Sequence, residues 1–332
     1  MDLQAEKDIV RNLHLELDGS APEAAAETLS RHVRGDYLWR GPHPFHVLNG
    51  PDGAGREFWG PLREAFSSLH RRDDIFFAGR NRIDGGRSIW VVSMGHLVGL
   101  FDRSWLGIPP TGRMAFLRHC TFHRVEEGRV VETAMQFDIP HLMVQAGLRP
   151  FPPETGVTLV QPGPATHDGL LHGPQPPKEG ERTLDLIDAM ISDLGTWNLG
   201  LPLEDELRRS WHEDMTWWGP TGIGATCTIP RYAAQHSGVF RRSFADRSAT
   251  AHVARLAEGD YGGFFGWPNF TARPTGGFMG MPATDKAGEF RVIDIYRRAG
   301  DRLAENWIFI DLLHFWNMQG VDILARTAGL RS

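Results

Sequence analysis

In TLDLIDAMISDLGTW (183–197) the apolar residues Leu184, Ile187, Ile191 and Leu194 fall at the spacing that lines one face of a helix. Later stretches change period. DYGGFFGWPNFTA (260–272), FRVIDIYRR (290–298) and RLAENWIFID (302–311) read as strands, with Gly300 and Asp301 as a hairpin turn between the last two. The first part of the chain repeats this order. There SIWVVSMGHLVGLF (88–101), FLRHCTFHRV (116–125) and RVVETAMQFD (129–138) read as strands, with a Glu-Gly turn before the last. Helices are expected near 57–69 and 230–242, and others start near Pro22 and Pro202, where proline suits a first turn. A short strand bearing Trp39 or Trp217 ends in Gly-Pro in each part. Helices followed by strands predict α+β, with helices packed on one face of a curved antiparallel sheet.

The parallel order reflects a duplication. Shifted by 173 positions, residues 107–147 lie over 280–320 without a gap, and ten of 41 positions agree, from Gly107/Gly280 to Gly147/Gly320. DYLWRGP (36–42) matches DMTWWGP (214–220) at an offset of 178. Two domains follow, 1–148 and 182–332. Between them, residues 149–181 hold eight prolines and five glycines and read as an extended connector, either a solvated linker or a strap over a pocket.

Two members of the repeated frame, Asp138/Asp311 and His141/His314, invite a catalytic reading. A structural one is favoured. The Asp stands where a helix cap would, Pro140 follows Asp138 in a first turn, the His could reach back toward the cap, and Gly147 and Gly320 suit the helix end.

Composition removes several classes of function. The net charge is −6 and no basic stripe occurs, so nucleic acid is not an expected partner. Cys120 and Cys227 are too few for a disulfide framework, no zinc spacing occurs, and GPTGIG (219–224) lacks the lysine of a phosphate loop. No metal or cofactor is implied. No apolar run approaches the length of a membrane span, so a soluble, cytoplasmic protein is the default expectation.

The stretch Asp294-Ile-Tyr-Arg, a Gly turn, Arg302-Leu-Ala-Glu-Asn-Trp and a closing Asp311 resembles the SnoaL-like polyketide cyclases, of the nuclear-transport-factor-2-like (cystatin-like) superfamily. The resemblance is strongest over 280–325 and reaches the first half through the repeat. It implies two α+β barrels, each a curved antiparallel sheet wrapped around helices with a cone-shaped pocket, joined as an intramolecular pseudo-dimer. The scaffold hosts many reactions and some binders. The family's last strand usually reads Glu-His-Trp-Asp. Here Asn306 or Thr133 stands for the His, and Ile308 or Met135 for the Asp.

Other groups could serve instead. By the family register Val292, Asp294 and Tyr296 face the pocket. Asp294 would act as general base on a carbon acid, with Asn306 holding a developing enolate oxygen. The competing reading puts Asp294 in an ion pair with Arg291 or Arg297. In half one the same face carries His119, a second candidate acid/base, and His123, with His96 on the preceding strand; buried core histidines are the alternative. Trp217, Trp218, Tyr232 and Trp267 are candidate substrate contacts in half two. The leading expectation is a cofactor-independent lyase, isomerase or aldol-type cyclase acting on a small carbonyl-bearing or cyclic molecule. A non-catalytic binder and a hydrolase using a His-activated water stand beside it. The expected partners are a small-molecule substrate and, as a homodimer, a second copy of the chain.

Overall fold

A computed structural model describes residues 3–196 and 200–328. Half one opens with the helix Gln4–Gly19, whose Val10, Leu13 and Leu17 are buried. Its strands are β1 (Val33–Arg40), β2 (Val47–Asn49), β3 (Phe66–Arg80), β4 (Ile89–Phe101), β5 (Met114–Glu126) and β6 (Arg129–Phe137), ordered β2-β1-β6-β5-β4-β3. Half two opens with the helix Pro177–Thr196, which starts six residues before the apolar periodicity placed it; residue 197, its expected end, lies outside the described residues. Its strands are β7 (Trp211–Trp218), β8 (Thr226–Cys227), β9 (Phe244–Ala249), β10 (Ala254–Glu258), β11 (Tyr261–Pro274), β12 (Gly288–Ala299) and β13 (Arg302–Ile310). The order is β10-β11-β12-β13-β7-β8, with β9 also on β11.

The fold is α+β, as expected, but each sheet is mixed. β1 runs parallel to β6, and β7 parallel to β13, because the first strand leaves the helices in the same sense as the last. The expected hairpin turns are present, with positive φ at Glu127, Gly128 and Gly300. The helix expected to reach residue 69 ends at Ala65, and β3 begins there. Strand β3 and the short β2 and β8 were absent from the periodicity, and so were strands β9 and β10. At the 178 offset β9 and β10 cover the same ground as β3, interrupted at residues 250–253 opposite the bulge of β11 between Gly266 and Phe270.

Strand alternation gives each sheet two apolar faces. One packs under the helices of its own half. The other meets the opposite sheet, where Phe77, Trp90, Val92 and Phe122 pack with Leu256, Phe265, Ile293 and Trp307. Burial on both faces explains the near-continuous apolar reading of β4 and the central strands.

The repeated Asp fastens this pseudo-dimer. Asp138 accepts from His141 N at 3.0 Å and, across the interface, from Thr221 N at 2.9 Å. Asp311 accepts from His314 N at 3.0 Å and from His43 N at 2.9 Å. His43 and Thr221 are equivalent residues, each just after Gly-Pro, so the two bonds are related by the pseudo-two-fold. The cap was expected; the bridge was not. The histidines contribute backbone N–H groups, and their rings turn elsewhere, His314 Nε2 lying 3.0 Å from Glu289. Gly147 and Gly320 close the helices with φ of 80° and 86°.

The connector does not hang in solvent. Gln161 donates to Gly219 O, Trp307 Nε1 to Pro162 O, and Lys7 Nζ to Leu171 O, so the segment is tied to both halves.

Candidate active site

Half two holds a cavity of about 430 Å3 between its sheet and helices. The helical wall supplies Met190, Ile191, Tyr232, His236 and Phe240; the sheet supplies Trp217, Phe264, Val292, Asp294, Tyr296 and Asn306. Ala249, Thr250, Ala251 and His252, at and beside the interruption between β9 and β10, also line it. No residue of 149–181 does, so the strap reading of the connector does not apply to this cavity.

Asp294 sits among these apolar walls, buried at 7% exposure. Alternation on β12 aims it inward with Val292 and Tyr296. Asn306 Nδ2 donates to Asp294 Oδ1 at 2.7 Å and to Ile295 O at 2.9 Å. Tyr296 hydrogen-bonds the same carboxyl. Burial raises the Asp294 pKa to about 7, against the lowering pull of Asn306, Tyr296 and the Arg118 guanidinium. The expected alternative partners are engaged elsewhere: Arg297 Nε lies 2.6 Å from Glu305 and Arg291 Nη2 3.0 Å from Glu289.

One assignment changes. Both N–H bonds of the Asn306 amide are occupied, so Asn306 positions Asp294 and has no donor left for an enolate oxygen. Tyr232 lines the same cavity. Burial and the neighbouring Asp294 carboxyl raise its pKa well above the usual phenol range, which keeps its proton on.

Trp217, Tyr232 and Tyr296 join Asp294 and Asn306 at the cavity, and the other candidates do not. Trp218 follows Trp217 on the strand, so it faces the inter-sheet core. Trp267 stands in the β11 bulge, where its ring takes the guanidinium of Arg291 at 4.5 Å. His96 alternates to the inter-sheet face of β4, 3.5 Å from Asp74 and beside Phe116. His119 and His123 do face the interior of half one, but that interior is filled. His123 lies 3.1 Å from His14 and 2.8 Å from Thr133, and His119 lies 3.3 Å from Arg71. Trp39, Phe45, Phe58, Trp105 and Phe137 pack ring against ring in the core of the same half. Burial, with Arg71 adding to it, holds both pKa values well below the ordinary imidazole range.

Sequence reasoning missed His236, Phe240, His252 and Trp211. The i, i+4, i+8 spacing of Tyr232, His236 and Phe240 was the available signal for two of them. Among the described residues no group of His, Cys, Asp and Glu is placed to hold a metal ion, and no helix is long and apolar enough to cross a membrane.

The raised Asp294 pKa has a consequence for stability. Well below the ordinary carboxyl value of 3.8 the group is protonated whether the chain is folded or not. As pH rises, the unfolded chain ionises first, so the folded state loses stability until about pH 7. Asp294→Asn is therefore expected to leave stability unchanged at about pH 3 and to raise it by roughly 2–4 kcal/mol at pH 8. Denaturant midpoints of both proteins at the two pH values measure this, and equal midpoints at pH 8 would contradict it.

Fold and cavity together define a duplicated α+β protein with a buried carboxyl in the pocket of one half. The family profile described as SnoaL-like polyketide cyclase matches residues 18–146 and 232–317, and the chain belongs to that family. Similar solved structures include a protein assigned to the SnoaL-like polyketide cyclases from Jannaschia sp. CCS1, at 20% identity over 46% of this chain and 95% of that one, with a TM-score of 0.36. IdmH from Streptomyces antibioticus, a candidate polyketide cyclase, matches at 19% identity over 42% of this chain and 97% of its own, TM-score 0.35. A nuclear-transport-factor-2-like protein from Burkholderia thailandensis E264 matches at 19% over 43% and 97%, TM-score 0.32. No curated protein matches the chain.

Proposed function

We propose that the half-two cavity is the active site of a cofactor-independent enzyme that moves a proton on a small, largely apolar, carbonyl-bearing or cyclic molecule, as in isomerisation, elimination or aldol-type cyclisation. The observation that carries this reading is the Asp294 carboxyl: buried against apolar walls, held by Asn306 and Tyr296, with a pKa near 7. A carboxylate in that state takes a proton from carbon beside a carbonyl and returns it elsewhere on the substrate. Tyr232 supplies a hydrogen bond to the enolate oxygen that forms. Half one acts as the sheet partner that completes the fold, and its packed histidines are left out of the chemistry.

A second reading, a non-catalytic binder, is favoured by Asn306 and Ile308 standing where the family's last strand usually carries His and Asp. Solvent exchange separates the two. A metabolite screen by thermal shift finds ligands, since 100 Kd of ligand adds roughly 2.7 kcal/mol. Each hit is then incubated in deuterium oxide with the protein. An enzyme places deuterium at the carbon beside the carbonyl; a binder returns the ligand unlabelled. Ile308→Trp, which fills the cavity, is expected to abolish both the thermal shift and the exchange. Ligand stabilisation that survives this change would move the site elsewhere.

A further inference from the structure

The two halves can be compared position by position around the cavity wall. Residues 54–66 lie over 232–244, with Gly60/Gly238, Arg63/Arg241 and Phe66/Phe244 unchanged. Both segments include a π-helical turn, Ala54–Trp59 and Ala233–Ser237. In half one Phe58 stacks on Trp39, with centroids 4.7 Å apart and planes at 29°. The equivalent residue in half two is His236, which stacks on Trp217 at 4.1 Å and 19°. Trp39 and Trp217 are themselves equivalent. The ring-on-ring support is thus common to both halves, and only its chemistry differs.

Packing alone gives no reason for the imidazole, because Phe58 fills the same place in the closed half. A buried polar ring without a partner costs free energy. His236 is 9% exposed, its Nδ1 is buried with no hydrogen-bond partner, and its ring lines the cavity. Burial also keeps it neutral, so it offers one N–H and one acceptor nitrogen.

We propose that His236 is a substrate-recognition residue whose imidazole hydrogen-bonds an oxygen of the bound molecule, so that the substrate is an apolar ring compound carrying a hydroxyl or carbonyl besides the group that faces Asp294. This rests on the half-two cavity being the substrate site. His236 comes from the helical wall and Asp294 from the sheet. A flat molecule held from both walls has one orientation, which apolar walls alone would not select.

The test is equilibrium binding of two isosteric probes, 2-methylnaphthalene and 2-naphthol, to wild type, His236→Phe and Asp294→Asn. Wild type is expected to prefer 2-naphthol roughly tenfold, the worth of one good hydrogen bond. His236→Phe copies the half-one residue and keeps the stack. It is expected to bind 2-methylnaphthalene as wild type does and to lose the preference, while Asp294→Asn retains it. The proposal is overturned if wild type shows no preference, if His236→Phe keeps it, or if only Asp294→Asn removes it. Should His236→Phe lose its cooperative melt, His236→Gln and His236→Met replace it. Gln retaining the preference and Met losing it supports the proposal; equal behaviour overturns it. Binding is read without turnover, so this result stands or falls separately from proton transfer at Asp294.

Discussion

Replacing Asp294 with Asn is expected to lower turnover by roughly 10²–10⁴-fold, the usual contribution of a positioned acid or base, while ligand affinity changes by no more than a few-fold. The amide keeps the volume and can still pair with Asn306 and Tyr296, so the cavity stays intact. What it cannot do is accept a proton. The same group sets the pH dependence. With Asp294 as the base, kcat/KM of the wild type rises with unit slope and levels off above about pH 7. Residual activity in Asp294→Asn is expected to show no such limb. Full activity in the variant, or a wild-type limb centred below pH 5, would remove Asp294 from the role. The expected gain in stability at pH 8 makes the pair of results coherent: a carboxyl held at a raised pKa weakens the fold at neutral pH, and a site whose working group costs stability is one that function maintains.

The second large effect concerns the seam. Asp138→Ala and Asp311→Ala are each expected to destabilise the chain by roughly 2–4 kcal/mol, from a lost helix cap and a buried cross-half N–H left without an acceptor. Because the two carboxylates bridge in opposite senses, both variants should weaken the same interface and give similar losses. Urea unfolding followed by tryptophan fluorescence reads this directly. A loss below about 1 kcal/mol in both would reduce the repeated Asp to an ordinary cap. Neither substitution touches the cavity, so ligand affinity in the folded protein should be preserved.

The duplication, the order of helices and strands, and the hairpin turns were legible because they rest on local rules: apolar period, Gly and Pro placement, and internal identity. Alternation put Val292, Asp294 and Tyr296 on one side of β12, and it was the family resemblance that implied this side faces the pocket. Alternation misled only where the register was unknown. His96 and Trp218 lie one position out of phase with the interior, so their side chains belong to the inter-sheet core. Trp267 sits in a bulge, where period two does not apply. The break between β9 and β10 was hidden because Asp246, Ser248 and Thr250 carry no apolar alternation.

By itself, then, the sequence determined a duplicated α+β chain, its helix caps and turns, and the face on which Asp294, Tyr296 and Asn306 stand. Only the tertiary structure decided which half is hollow. Both halves have the same frame, and whether a cone fills or stays open depends on side chains arriving from distant segments: His14 against His123 and Phe45 with Trp105 in half one, Ile191 and His236 around open space in half two. It also decided that Asn306 holds Asp294 and that Asp138 and Asp311 reach across the seam. Hydrogen bonds between residues far apart in the chain depend on where folding brings them, and no local pattern encodes that distance.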